Sequence, residues 1–354
     1  MKNIISFPHL SNYYVPAKYL FSHILNCDIQ VSPPITNRTI ELGSKNSPDF
    51  VCTPFKYTLG NFIESLDLGA NVLIQFGGGC RYGYYFELQE KILNDLGYNF
   101  KMINLITAGK TDIKKIIKKL KEIDPKFSKI KGLYYLIITK KMVEYMDFID
   151  DYIRKNIGFE VNSGSFIKLR SKMLNDFSNI KGYFHLKKLY KKYLKEFKNI
   201  EINKPSNHLK VGIIGELYTV MEPFSNYNLE YELAKKGVEI TRFTNATYLL
   251  FKKRRKVKKY LKELNNIKYR MGADATDNIY RAKWLCEKKY DGIIHIKSSF
   301  CTPEIASQGI INKICNDYNV PVNFYSFDAN TSEVGINSRI EAFFDMIEMR
   351  KKHE

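Results

Sequence analysis

Along the first hundred residues, short unbroken apolar runs alternate with stretches in which apolar side chains return every three or four positions. "NIISFP", "DFVC", "NVLIQF" and "FKMINL" have the length and composition of buried strands. "VPAKYLFSHILN", "FKYTLGNFIESLDLG" and "YGYYFELQEKILNDLG" have helical spacing, and the last two close at Gly69 and Gly97. Buried strands separated by amphipathic helices predict βαβ units and a parallel sheet. From about 109 to 205 the period is helical throughout, in "DIKKIIKKLKEI", "YYLIITKKMVEYMDFIDDYIRKN" and "HLKKLYKKYLKEFKNI". After "KPSNHL" the alternation resumes. "KVGIIGEL", "VEITRF", "DGIIHIKS" and "PVNFYSF" read as strands among helices, and "NSRIEAFFDMIEMRKK" reads as a closing helix.

The pattern predicts an α/β protein of two Rossmann-like parallel-sheet lobes, 1–108 and 207–354, with a basic helical segment, 109–206, between them. Ligand sites in such sheets lie beyond the carboxyl ends of the strands, so the cleft between lobes is the expected site. No apolar run reaches the roughly 18 residues of a membrane-spanning helix. The start, "MKNIISFPHLSNYY", lacks the apolar core of a signal peptide, and a cytoplasmic location is expected.

Charge adds one feature. The formal net charge is +19, but it is concentrated. Residues 109–205 hold 24 Lys and Arg against 11 Asp and Glu, and the run 252–262, "KKRRKVKKYLK", holds eight more with no acid. The remainder is nearly neutral. Such charge fits a nucleic-acid surface, an acidic partner, or a solvated helix face; no nucleic-acid reader motif accompanies it.

Of six cysteines, Cys27, Cys286 and Cys315 fall at a helix end or in helix interiors and read as structural. Cys52 ends "DFVC", Cys80 follows "NVLIQF" and the triple Gly77, Gly78, Gly79, and Cys301 follows "DGIIHIKS". Each precedes a helix start, where the positive end of the helix dipole favours thiolate. Three consecutive glycines are expensive in backbone entropy and suit a bulky group held close to the chain. Three widely spaced thiols do not match a structural zinc knuckle and do suit an iron–sulfur cluster with one open iron. The same placement also fits cysteines that reach strand ends with no shared ligand. Lys56 and Arg81, next to these thiols, are candidate cations for an anionic cluster or a CoA thioester. Glu216 and Tyr218, after "KVGIIG", read as a polar cap of the second lobe. Glu304 reads as a helix-start carboxylate, and His295 as a core histidine.

"CTPFKYTLGNFIESLDLGANVLIQFGGGCRYGYYFELQEKILNDLGY", "KVGIIGELYTVMEPFSN", "SSFCTPEI" and "NSRIEAFFDM" resemble the 2-hydroxyacyl-CoA dehydratase superfamily, in its branch of activase-associated and double-cubane-cluster-like proteins. The resemblance implies an oxygen-sensitive protein whose ligands to an iron–sulfur cluster are Cys52, Cys80 and Cys301. One three-cysteine set implies a single four-iron cluster, or one completed by a partner, and not a double cubane within one chain. It also implies a separate ATP-hydrolysing activase with its own cluster, an acyl-CoA substrate in the catalytic members, and a homo- or heterodimer. The chain lacks a Walker phosphate loop, since neither "GIIGEL" nor "GGGCRYG" ends in Gly-Lys-Ser/Thr. Two functions follow, activase-driven low-potential electron transfer or reduction and cluster carriage without catalysis, and the basic charge adds a third, nucleic-acid binding with incidental cysteines.

Overall fold

Ile5, Ile74 and Ile103 point to one face of a sheet, and Leu73 and Met102 to the other, the period of two that a strand buried on both sides requires. The structure is a computed structural model that describes residues 3–77, 80–105, 112–264, 267 and 269–353. It divides into two compact units, Met1–Lys141 and Met142–Glu354.

In the first unit, β1 (Ile4–Ser6), α1 (Tyr14–Ile24), β2 (Asp28–Ile29), α2 (Asn37–Lys45), α3 (Thr53–Asp67), β3 (Val72–Gln75), α4 (Tyr85–Asp95), β4 (Lys101–Asn104) and α5 (Ile113–Ile123) follow in order. All strands are parallel, in the order β2-β1-β3-β4. Phe21, Ile24, Leu120 and Ile123 cover one face, and Phe55, Leu59, Phe62 and Leu93 the other. Two glycines let α2 and α3 cross in backbone contact. A Cβ on Gly43 would lie 1.8 Å from the Lys56 carbonyl oxygen, and one on Gly60 would lie 1.9 Å from that of Thr39.

A further helix, α6 (Lys129–Asn156), spans the boundary between units. The second unit continues with α7 (Ser165–Ser178), α8 (Tyr183–Lys198), β5 (Leu209–Gly215), α9 (Leu217–Met221), α10 (Leu229–Ala234), β6 (Val238–Arg242), α11 (Lys253–Glu263), α12 (Ala275–Glu287), β7 (Gly292–Ser298), α13 (Thr302–Asp317), β8 (Val322–Phe327) and α14 (Glu333–His353). Its sheet is again all parallel, in the order β6-β5-β7-β8. Leu229, Leu233, Ile336, Ile340 and Phe343 pack on one face, and Ile279, Leu285, Ile311 and Ile314 on the other. Two four-stranded parallel sheets covered by helices are the α/β architecture read from the periodicity.

One element differs. "DFVC" is not a strand: it forms the turn between α2 and α3, and Phe50 is 74% exposed. Four residues next to Pro48 carry a strand's composition but find no neighbouring strand. The second strand of this sheet is Asp28–Ile29, too short to show a period. The boundary read at 108/109 lies outside the described residues.

Candidate functional site

The two sheets have the same strand order, so each has its reversal point between its first and third strands in chain order, β1/β3 and β5/β7. Loops leaving the carboxyl ends at such a point frame a crevice that suits a ligand. Cys80 follows β3 and Cys301 follows β7, so the two cysteines occupy equivalent places in their units.

In the first unit, Cys52 is the N-cap of α3, with Pro54 in the first turn, where a missing N–H costs no hydrogen bond. Cys80 caps a 3₁₀ turn, Arg81–Tyr84, that leads into α4, and its sulfur accepts from the Tyr82 N–H at 3.5 Å. The Cys52 sulfur lies against the Tyr85 hydroxyl. The Tyr82 and Tyr85 rings are 4.7 Å apart, and Tyr85 stands edge-on to Phe55 at 4.8 Å. Both thiols are thus half-buried at helix starts, linked by an aromatic pair. Behind them, Gln75 donates to Gln89, whose own amide donates to the Thr58 hydroxyl at 2.7 Å and the Phe55 carbonyl at 3.3 Å. This fully buried amide chain fixes the end of β3 against α3 and α4.

Gly77 lies in the loop between β3 and Cys80. Gly78 and Gly79 lie outside the described residues. Lys56 is half-buried in the first turn of α3, and its carbonyl forms the crossing with Gly43. Arg81 is exposed, directly after Cys80.

In the second unit, Cys301 is the N-cap of α13, with Pro303 in its first turn, and is 7% exposed. Its surroundings are charged. Lys297, on β7, is 5% exposed and donates to the Ser299 carbonyl at 3.4 Å. Burial lowers its pKa, while Cys301 and Glu304 pull it back up. Glu304 is fully buried in the first turn of α13, where it accepts from His295 Nε2 at 2.7 Å and Asn278 Nδ2 at 2.9 Å. Asn278 also donates to the Gly215 carbonyl at 3.0 Å, which ties the end of β5 to α12 and α13. Gly215, at φ +144°, allows this crossing: a Cβ there would lie 1.8 Å from the Ile296 carbonyl oxygen. Among the described residues, His295 Nδ1 and Glu304 Oε1 have no hydrogen-bond partner. His295 is therefore a core histidine as read, held by Glu304, and Glu304 spends its bonds on side chains, not on helix N–H groups.

Glu216 caps α9, accepting from the N–H groups of Tyr218 and Thr219 at 2.9 Å and the Thr219 hydroxyl at 2.7 Å. The capping role read for it holds. Burial pushes its pKa up to about 7 against these hydrogen bonds, with a further push from Asp274.

Asp274, the N-cap of α12, carries the ion pair that sequence reasoning missed. It pairs with Lys253, which also lies 3.3 Å from Asp277. Arg281 is 2% exposed, donates to the Thr244 hydroxyl at 2.8 Å and stacks over the Tyr248 ring at 4.5 Å. Lys253 sits within "KKRRKVKKYLK", so its charge looked like the rest of the run. An acid-rich start, "DATD", opposite a basic helix was the only local sign.

Among the described residues, no group of three or more His, Cys, Asp or Glu side chains is gathered closely enough to hold a metal ion. Each thiol that the resemblance names caps a helical turn within its own unit, Cys52 and Cys80 in the first and Cys301 in the second. No described helix is long and apolar enough to cross a membrane.

Residues 255–347 match the family of 2-hydroxyglutaryl-CoA dehydratase, D-component. This segment is similar to the 2-hydroxyacyl-CoA dehydratases, the superfamily that the chain's motifs resemble. The dehydratase-like segment holds Cys301, Lys297, His295, Glu304 and the start of α12; Cys52 and Cys80 lie outside it. No curated protein matches the chain.

Proposed function

We propose that this chain is an iron–sulfur protein related to 2-hydroxyacyl-CoA dehydratase subunits, charged at low potential by an ATP-hydrolysing activase. The observation that carries the reading is the dehydratase match over the segment containing Cys301, joined to three cysteines that each cap a helical turn. Cys52, Cys80 and Cys301 are the proposed thiolate ligands. A bound cluster would supply single electrons and an open iron as Lewis acid.

The chain's own residues supply the rest. Helix starts favour the thiolate form of each cysteine. Tyr82 and Tyr85 shield the first unit's thiols from water, and Lys297 places a cation near Cys301 to offset added negative charge. The run Gly77, Gly78, Gly79 carries no side chain to hold a cluster off the chain, and Lys56 and Arg81 are the proposed cations for a cluster or an acyl-CoA phosphate. An acidic activase would dock on α11 and its N-cap, through Lys252, Arg254, Arg255, Lys258 and Lys259. Lys253 is excluded from that surface by its pairing with Asp274 and Asp277.

The test is iron and acid-labile sulfide on chain purified without oxygen, with EPR after dithionite. About four irons per chain, lost in Cys52→Ser, Cys80→Ser and Cys301→Ser but kept in Cys286→Ser, supports the reading. A folded chain that stays iron-free under reconstitution rejects it. A cluster that never turns over with activase and acyl-CoA would make the protein a carrier, not a catalyst.

A further inference from the structure

Cys286 and Cys315 read from sequence as inert core residues. The structure places their sulfurs 4.0 Å apart, within the core formed by α12, α13 and the sheet. Both are buried, at 3% and 0% exposure. Each sits in the last turn of its helix, where its carbonyl accepts from a residue past the helix end: Lys289 N to Cys286 O at 3.0 Å, Val320 N to Cys315 O at 2.9 Å. These are places where a helix is already ending and the backbone can adjust.

We propose that Cys286 and Cys315 are an oxidation site: a dithiol that closes into a disulfide under a small two-electron oxidant such as hydrogen peroxide. A disulfide needs its sulfurs about 2 Å apart, so the pair must close by about 2 Å, within reach of side-chain rotation at the two helix ends. The contact also polarises the pair. It draws the Cys286 thiol down and pushes Cys315 up, so Cys286 is the sulfur that ionises first. The helix that carries Cys315 reaches solvent just beyond it, at its C-cap Tyr318, which is 46% exposed.

The chemistry balances. The Cys286 thiolate attacks one peroxide oxygen, the O–O bond breaks, and a sulfenic acid forms as hydroxide leaves and takes up the Cys286 proton. The Cys315 sulfur then attacks the Cys286 sulfur, the S–O bond breaks, and a second water leaves with the Cys315 proton. Two thiols and one peroxide give one disulfide and two waters.

The consequence is mechanical. Cys301 caps the start of α13, and Asp274 caps the start of α12. The new bond would join the far ends of the same two helices and close the 28 residues between the cysteines into a loop. It would lock the frame of the Cys301 site without using any proposed cluster ligand.

The experiment oxidises the purified full chain with stoichiometric hydrogen peroxide, unfolds it, alkylates it and maps the peptides by mass spectrometry. Closure predicts two fewer alkylated cysteines, a peptide linking Cys286 to Cys315, and a melting temperature raised over that of the reduced chain. Cys286→Ala and Cys315→Ala should each abolish the linked peptide, while Cys52→Ala, Cys80→Ala and Cys301→Ala should keep it. Wild-type chain in which both residues remain fully alkylated, or in which either pairs with another cysteine, overturns the proposal. If an alanine variant fails to fold, the wild-type map alone decides. The result is independent of iron, so its failure would leave the cluster reading untouched.

Discussion

The two units share a strand order and treat the same topological positions with opposite chemistry. In the first, the cysteine after the third strand, Cys80, and the cap of the helix before that strand, Cys52, are half-buried thiols beside tyrosines. In the second, the cysteine is kept, as Cys301, but the helix before the third strand is capped by Asp274, and the neighbours are Lys253, Asp277, Asn278, Glu304 and His295. Topology fixes where a helix start meets a strand end. It does not fix whether that point is soft and aromatic or charged and hydrogen-bonded.

The strongest way to break the comparison is Glu304→Ala. It leaves His295 and Asn278 buried without their shared acceptor, and should cost the second unit about 3–5 kcal/mol. The only tryptophan, Trp284, lies on α12 and reports this unit's unfolding in urea. A loss under about 1 kcal/mol would mean the network is incidental.

Next is the pH dependence of Glu216. Its pKa in the folded chain is raised from 4.5 to about 7, so between those values the native state binds the proton more tightly than the unfolded state. Its stabilising share is therefore complete below the lower value and lost as pH rises through the upper one, on the order of 3 kcal/mol across the window. Glu216→Gln should flatten that part of the stability profile, measured by Trp284 fluorescence in urea from pH 4 to 8. An unchanged slope would place the titration elsewhere.

Gly60→Ala probes the first unit alone. The added methyl meets the Thr39 carbonyl of α2, and α2 must move off α3, at a cost of about 2 kcal/mol. Thermal melting followed by circular dichroism checks it; a stabilised variant would show that α2 yields freely.

The smallest effect sharpens the contrast. Tyr85→Phe removes the hydroxyl against Cys52 and should change stability by less than about 1 kcal/mol. It should also speed the reaction of Cys52 with a thiol reagent. Equal rates would show that the tyrosine packs against the thiol without guarding it.

The alternation of apolar runs and helical spacing determined the α/β class, seven of the eight strands among the described residues and the cysteines that would cap helical turns, because strand and helix periods and Pro-marked helix starts are local properties. Local reading failed at "DFVC", where composition favours a strand but no strand lies alongside, and at Asp28–Ile29, where two residues show no period at all. The strand order and hence the equivalence of Cys80 with Cys301, the burial of Lys253 out of a basic run, the Glu304–His295 pair and the Cys286–Cys315 contact were decided by the tertiary structure. The last three join residues 21, 9 and 29 positions apart, brought together by the packing of helices on a sheet, and no spacing rule within one helix or strand encodes that meeting.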